Sequence, residues 1–118
     1  MKDFEKIYTE DIVIITVNLT RATMKEAQEF KKLIIDEIDR NKKKIIIDLS
    51  ECEFMDSTFI GVIVVSLKKI GAIGGELHLI EPLAVAQSIL EVTGVMNIFN
   101  MYKTKENALK SFRETVSR

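Results

Sequence analysis

The run "KKKIIIDLS", residues 42–50, constrains the fold more than any other stretch. Three isoleucines follow one another with no polar residue between them, so both faces of the segment need cover. A strand with one wet face would alternate instead; an unbroken apolar strand belongs inside a parallel sheet with helices on either side. Lys44 to Leu49 is therefore expected to be a central parallel strand. Parallel neighbours require crossover connections, which are nearly always right-handed, so helical patterns should flank it.

They do. Before it, Met24 to Arg40 repeats Ala27, Phe30, Leu33, Ile34 and Ile38 at helical spacing, with Lys31, Lys32, Glu37 and Asp39 assigned to the opposite face. Thr23 is the expected N-cap, and Glu26 completes a capping box. Upstream, "IVIITV" (Ile12 to Val17) is rich in β-branched residues and reads as a strand, preceded by a shorter one around Phe4 to Tyr8; "TED" between them suits a hairpin. After the central strand comes a helix from Ser57 to about Ile70, broken by "GAIGG". "ELHLIE" (Glu76 to Glu81) is the next strand, and Pro82 opens a helix to about Val92 that Gly94 stops. "IFNMY" is a short strand. Thr104 caps a last helix to about Val116, with Asn107 where a capping box prefers Glu or Gln.

The order β-β-α-β-α-β-α-β-α predicts one α/β domain over residues 1–118. It has a mostly parallel sheet, an N-terminal antiparallel strand and about four helices. Ile14, Phe30, Ile34, Ile46, Val62, Leu79 and Leu90 should build its core.

Composition closes off several functions. The chain is 47% hydrophobic and 30% charged, the balance of a globular protein. Seventeen basic and eighteen acidic residues leave a net charge of -1, with no basic stripe interleaved with aromatics, so direct nucleic-acid binding is not expected. "MKDFEKIYTE" has no apolar stretch after its first charge and does not read as a signal peptide. The longest apolar run, "FIGVIVVSL", ends at Lys68 and falls short of the ~20 residues that cross a bilayer, so membrane insertion is not expected. One cysteine, Cys52, allows no internal disulfide, and with only His78 for company it builds no metal cluster. A cytoplasmic setting is the simplest expectation.

The chemistry concentrates in "FMDSTFIGVIVV", Phe54 to Val65, where Asp56, Ser57 and Thr58 open a hydrophobic helix. One reading makes Asp56 or Ser57 an N-cap and nothing more. The other makes a hydroxyl a phosphorylation site, because unpaired N–H groups at a helix start tolerate a phosphate. On these three residues alone the cap is the simpler account. Phe54, Met55 and Phe59 raise a second question. A ring in the first helical turn falls near the surface, where it packs under the neighbouring strand or contacts a partner. Asp48 ends the central strand, but the nearest acids, Glu10 and Asp11, precede the second strand and do not form the acid pair a receiver domain uses for magnesium. Cys52 and His78 read as packed residues, not as a nucleophile and base. No GxSxG, Walker lysine loop or GxGxxG is present.

"IIIDLSECEFMDSTFIGVIV", with "IGAIGGELHLIEP" and "ILEVTGVMNIF" downstream, resembles the STAS domain of bacterial anti-sigma factor antagonists. The resemblance covers most of the chain and matches its element order. The family motif is an aspartate, a phosphorylatable serine, a small residue, a glycine, an aliphatic residue and a second glycine. Asp56, Ser57, Thr58, Ile60 and Gly61 match it in register, which makes Ser57 a regulatory serine, with Thr58 the alternative acceptor. The resemblance implies a partner-switching protein with no cofactor and no catalytic group of its own. Unphosphorylated, it binds an anti-sigma factor that is also a serine kinase and so frees a sigma factor for transcription; phosphorylation breaks the complex, and a serine phosphatase resets it. Asp56, Ser57, Thr58, Phe59, Arg21 and Thr23 are the expected partner contacts.

Two departures stand out. Phe59 replaces the first glycine, which predicts either an obstacle to the usual kinase or a selector of another. Thr20, Arg21, Ala22 and Thr23 replace a Gly-Glu-Leu/Ile-Asp segment, turning an acidic contact basic or neutral. The other class of function is a constitutive STAS scaffold or sensory module, with Ser57 only a cap and Phe59 an apolar contact.

Overall fold

The computed structural model describes residues 2–86 and 98–116. Five strands form one sheet: β1 (Phe4–Thr9), β2 (Ile12–Val17), β4 (Lys44–Asp48), β6 (Glu76–Ile80) and β7 (Asn100–Tyr102), in the order β1-β2-β4-β6-β7. β1 pairs antiparallel with β2, and every other pairing is parallel. The run "IIID" thus lies between β2 and β6, and Ile45, Ile46 and Ile47 are fully buried. Two further strands of two residues each, β3 (Arg21–Ala22) and β5 (Phe54–Met55), pair in parallel outside the main sheet.

Two helices, α1 (Met24–Asp39) and α2 (Ser57–Ala72), pack against one face of the sheet. The C-terminal helix, here α3 (Lys105–Val116), packs against the other. Residues 84–86 are helical, where the expected helix from Pro82 begins. The rest of that helix, its Gly94 stop and the expected core residue Leu90 lie outside the described residues.

Side-chain alternation along each strand creates two cores. Val13, Ile15, Ile45, Ile47, Leu77 and Leu79 point to α1 and α2, joining Phe30, Ile34 and Val62. Ile12, Ile14, Ile46 and Ile80 point the other way, under Ala108 and Phe112 of α3. The other expected core residues, Ile14, Phe30, Ile34, Ile46, Val62 and Leu79, are buried, but Ile14 and Ile46 belong to the second cluster.

Local signals account for most boundaries. Thr23 and Glu26 form the capping box of α1. The Asn107 amide donates to Thr104 Oγ1 at 3.1 Å, capping α3. In "GAIGG" the helix runs through Gly71, and the break comes at Gly74, whose φ of 79° suits glycine. A Cβ on Gly75 would lie 2.7 Å from the Lys43 carbonyl oxygen, so only glycine allows the chain this close to the start of β4.

One residue placed on the solvent face of α1 is not there. Glu37 is fully buried. Position 37 follows 30 and 34 around the helix, and β1 supplies partners: Lys6 Nζ and Tyr8 Oη each donate to Glu37 Oε2 at 2.7 Å. Burial pushes the Glu37 pKa up, but these two donors outweigh it and hold the carboxyl below its ordinary value. Oε1 has no partner among the described residues.

Candidate functional site

The site begins with the small β3–β5 ribbon. Ala22 and Met55 face inward and are fully buried, anchoring it. The Glu53 and Phe54 amides donate to the Thr20 carbonyl, and the Asp56 amide donates to that of Ala22 at 3.1 Å. Two segments more than thirty residues apart in sequence thereby become neighbours. Arg21, exposed, lays its guanidinium over the Phe54 ring, 4.3 Å from the centroid.

The ribbon delivers the chain into α2 through Asp56. Its backbone is extended, φ -90° and ψ 174°, and its Oδ1 accepts from the Phe59 amide at 2.9 Å, the geometry of an N-cap. Its other oxygen does something a cap does not require: Oδ2 accepts from the Met24 amide at 2.8 Å. Met24 is the first residue of α1, so one carboxylate closes the amino-terminal ends of two helices. Both ends carry partial positive charge, which favours an anion between them.

Ser57 and Thr58 follow, both exposed, in the first turn of α2. Phe59 is fully buried. Its ring stacks on Phe30 at a centroid distance of 4.4 Å, and Phe30 stacks on Phe4 at 5.2 Å. The placement of Phe59 among the partner contacts is therefore corrected: the ring packs under the sheet's helical layer. It neither blocks approach to Ser57 nor offers a contact, because the helix turns position 59 inward while 57 and 58 stay outside. One turn on, Gly61 has nothing within 4 Å of where a side chain would begin, leaving helix backbone bare beside Ser57.

Of the residues expected at the site, the structure gathers Arg21, Thr23, Asp56, Ser57 and Thr58. Thr23 is half-buried and committed to its capping box. What the sequence reading missed is the ribbon and the second bond of Asp56. Two-residue strands are too short for periodicity to reveal, and nothing in the local sequence marks Met24 as a donor to residue 56.

The remaining polar residues serve elsewhere. Asp48 Oδ1 accepts from the Ser50 amide at 3.0 Å, ending β4 in a turn. Glu10 and Asp11 lie at the amino-terminal end of β2, the far end of the sheet from Asp48, so these acids do not converge. Cys52 is buried, and burial pushes its thiol up to about 12, so it stays protonated and unreactive. His78 is buried too, with Nε2 2.9 Å from Glu76 Oε1, Nδ1 2.8 Å from Ser111 Oγ, and its ring stacked on Phe112. That Ser-His-Glu order invites comparison with a catalytic triad. Ser111, however, lies inside a helix whose amides are taken up by helical bonding, and its hydroxyl also reaches the Ala108 carbonyl at 2.6 Å. This is a latch between α3 and the sheet.

The model of the STAS domain family matches residues 4–108. The chain belongs to the STAS domain family. A relative from Thermotoga neapolitana, whose name proposes it as an anti-sigma factor antagonist homologue, is 34% identical over 86% of this chain and 89% of its own length. The crystal structure of a Thermotoga maritima protein, proposed by its description as an anti-sigma factor antagonist, superposes with a TM-score of 0.86. It is 32% identical and covers 93% of this STAS domain and 94% of the solved chain. The fold alone is shared with the Bacillus cell-fate determinant SpoIIAA in its phosphorylated form. There the identity is 19% and the TM-score 0.72, covering 92% and 98% of the two chains. No helix among the described residues of this STAS domain is long and apolar enough to cross a membrane.

Proposed function

We propose that this STAS domain is an anti-sigma factor antagonist whose binding is switched off by phosphorylation of Ser57. The carrying observation is an exposed hydroxyl at the start of α2, directly after Asp56 and on the surface that β3 and β5 assemble from two distant segments. A phosphate there adds about 1.5–2 negative charges and three acceptor oxygens to a surface whose fold does not depend on Ser57. Beside Asp56 it raises the local negative charge further, and a partner docked there would have to desolvate it. The names of the Thermotoga relatives, and a phosphorylated form solved for one protein of this fold, support the same reading.

The partner is then an anti-sigma factor with serine kinase activity, with a serine phosphatase to reset the switch and sigma-factor-dependent transcription as the output. Thr58, equally exposed, is the alternative acceptor. Arg21 offers the partner a cation where the family motif carries an acid, so the complementary contact on the partner is acidic. The chain acts as a kinase's substrate in the cytoplasm, without catalysis of its own.

The test is an intact-mass measurement after incubation with the anti-sigma kinase and ATP, alongside pull-down. One phosphate should be gained by the parent and by Thr58→Ala, and none by Ser57→Ala. Ser57→Ala should stay bound in the presence of ATP. Ser57→Asp should bind more weakly, though less weakly than the phosphoprotein, because it carries one charge and two oxygens. Equal binding by Ser57→Ala and Ser57→Asp would leave a constitutive scaffold in place of a switch.

A further inference from the structure

The Asp56 carboxylate joins the candidate phosphorylation site to a second element. Its Oδ1 holds the Phe59 amide at the start of α2, and its Oδ2 holds the Met24 amide at the start of α1. Both oxygens belong to one planar group, so one rotamer satisfies both bonds and a disturbance of one is felt by the other. Its own amide is tied to Ala22, and its carbonyl accepts from the Ile60 amide, so the backbone stays in place while the side chain can turn.

A phosphate on Ser57 sits one residue away and seeks the same donors. Helix-start amides bind phosphate oxygens well, and the Phe59 amide is within the first turn. Two like charges competing for it repel each other. The carboxylate that loses the Phe59 amide must turn, and the Met24 amide then loses the only acceptor it has among the described residues.

We propose that Asp56 is a relay: phosphorylation of Ser57 releases the amino terminus of α1 through it. The surface that changes thus extends from Ser57 to Met24, which is 68% exposed, and to Lys25 beside it. A partner docked on the first turn of α1 would sense the phosphate without touching it. Asp56 is a positioning residue in this scheme, since both its oxygens are engaged by backbone.

The inference rests on Ser57 being the phosphoacceptor, but its test needs no kinase. Phosphoserine can be placed at position 57 during translation, so failure of the relay and failure of the switch give different results. The readout is hydrogen exchange at the Met24 amide, in the full chain, with and without phosphoserine, in the parent and in Asp56→Ser. Serine still caps α2 but has a single oxygen, so it keeps the Phe59 bond and gives up the Met24 bond.

In the parent, phosphoserine should speed exchange at Met24 roughly tenfold, the protection a charge-assisted hydrogen bond gives. In Asp56→Ser the exchange should already be fast, and phosphoserine should add nothing. A Met24 amide indifferent to phosphoserine in the parent overturns the relay. So does an equal acceleration in both backgrounds, because a merely structural Asp56 would leave the two effects additive. Should Asp56→Ser fail to fold, Asp56→Asn, which keeps one acceptor oxygen and loses the charge, takes its place with the same expected loss of response.

Discussion

The two faces of the sheet are held by different physics. Under α1 and α2 most of the contact is apolar: Phe4, Phe30 and Phe59 stack in sequence in one cluster with Ala22, Met55 and Ile63, and a buried carboxylate, Glu37, is tied to Lys6 and Tyr8 of β1 at its edge. Such stacked rings add about 0.5–1.5 kcal/mol per pair beyond the area they bury. Under α3 the apolar cluster is smaller, and a polar chain runs from Glu76 through His78 to Ser111. Ser57 stands two residues before a ring of the first kind of core. The second face ties one helix to the protonation state of a buried imidazole.

The sharpest way to break this contrast is Phe59→Ala. It removes the ring between α1 and α2 and should cost about 3–5 kcal/mol in chemical denaturation. Phe59→Gly, which restores the family's glycine, should cost about 1 kcal/mol more, from the backbone freedom of glycine inside a helix. A loss below about 1 kcal/mol would mean the stack is dispensable. On the other face, Ile46→Ala should cost about 2–5 kcal/mol, because Ile46 is fully buried beneath α3. A change within error would put the central strand in the wrong place.

The smallest effect concerns pH. Burial lowers the His78 pKa below its ordinary 6.5, against the opposing pull of Glu76. The unfolded chain therefore takes up this proton more readily than the folded one. Stability should begin to fall as pH drops through about 6.5 and go on falling until the lowered folded pKa is passed. Glu37 adds a second loss at lower pH. Its depressed pKa contributes stability above its unfolded value of 4.5, lost as pH falls through the folded value. His78→Phe should flatten the first decline and leave the second. A variant whose stability tracks the parent's between about pH 7 and 5 would show that the imidazole is not the source.

Much of the fold was legible because its causes are local. The unbroken isoleucines of β4, the capping residues Thr23 and Thr104, and the glycines after α2 each act within a few residues. Asp56 as a cap and Ser57 as the first helical residue were legible for the same reason. The errors have a common origin. Glu37 was assigned to water because its charge outweighed its helical position, and the partners that reverse the balance, Lys6 and Tyr8, come from a strand about thirty residues earlier. Phe59 was placed among surface contacts because first-turn residues often are, whereas its ring had Phe30 to stack on.

The sequence by itself determined the order of the five main-sheet strands and of the helices α1, α2 and α3 among them, the central place of "KKKIIIDLS" and the exposed start of α2, since hydrophobic period and caps depend on neighbours along the chain. Only the tertiary structure decided which of two cores each isoleucine entered, that Glu37 would be buried, and that β3 would meet β5. It alone joined Asp56 to Met24. Those outcomes depend on which distant groups come to pack against or hydrogen-bond one another, and such contacts leave no trace in the sequence spacing of their partners.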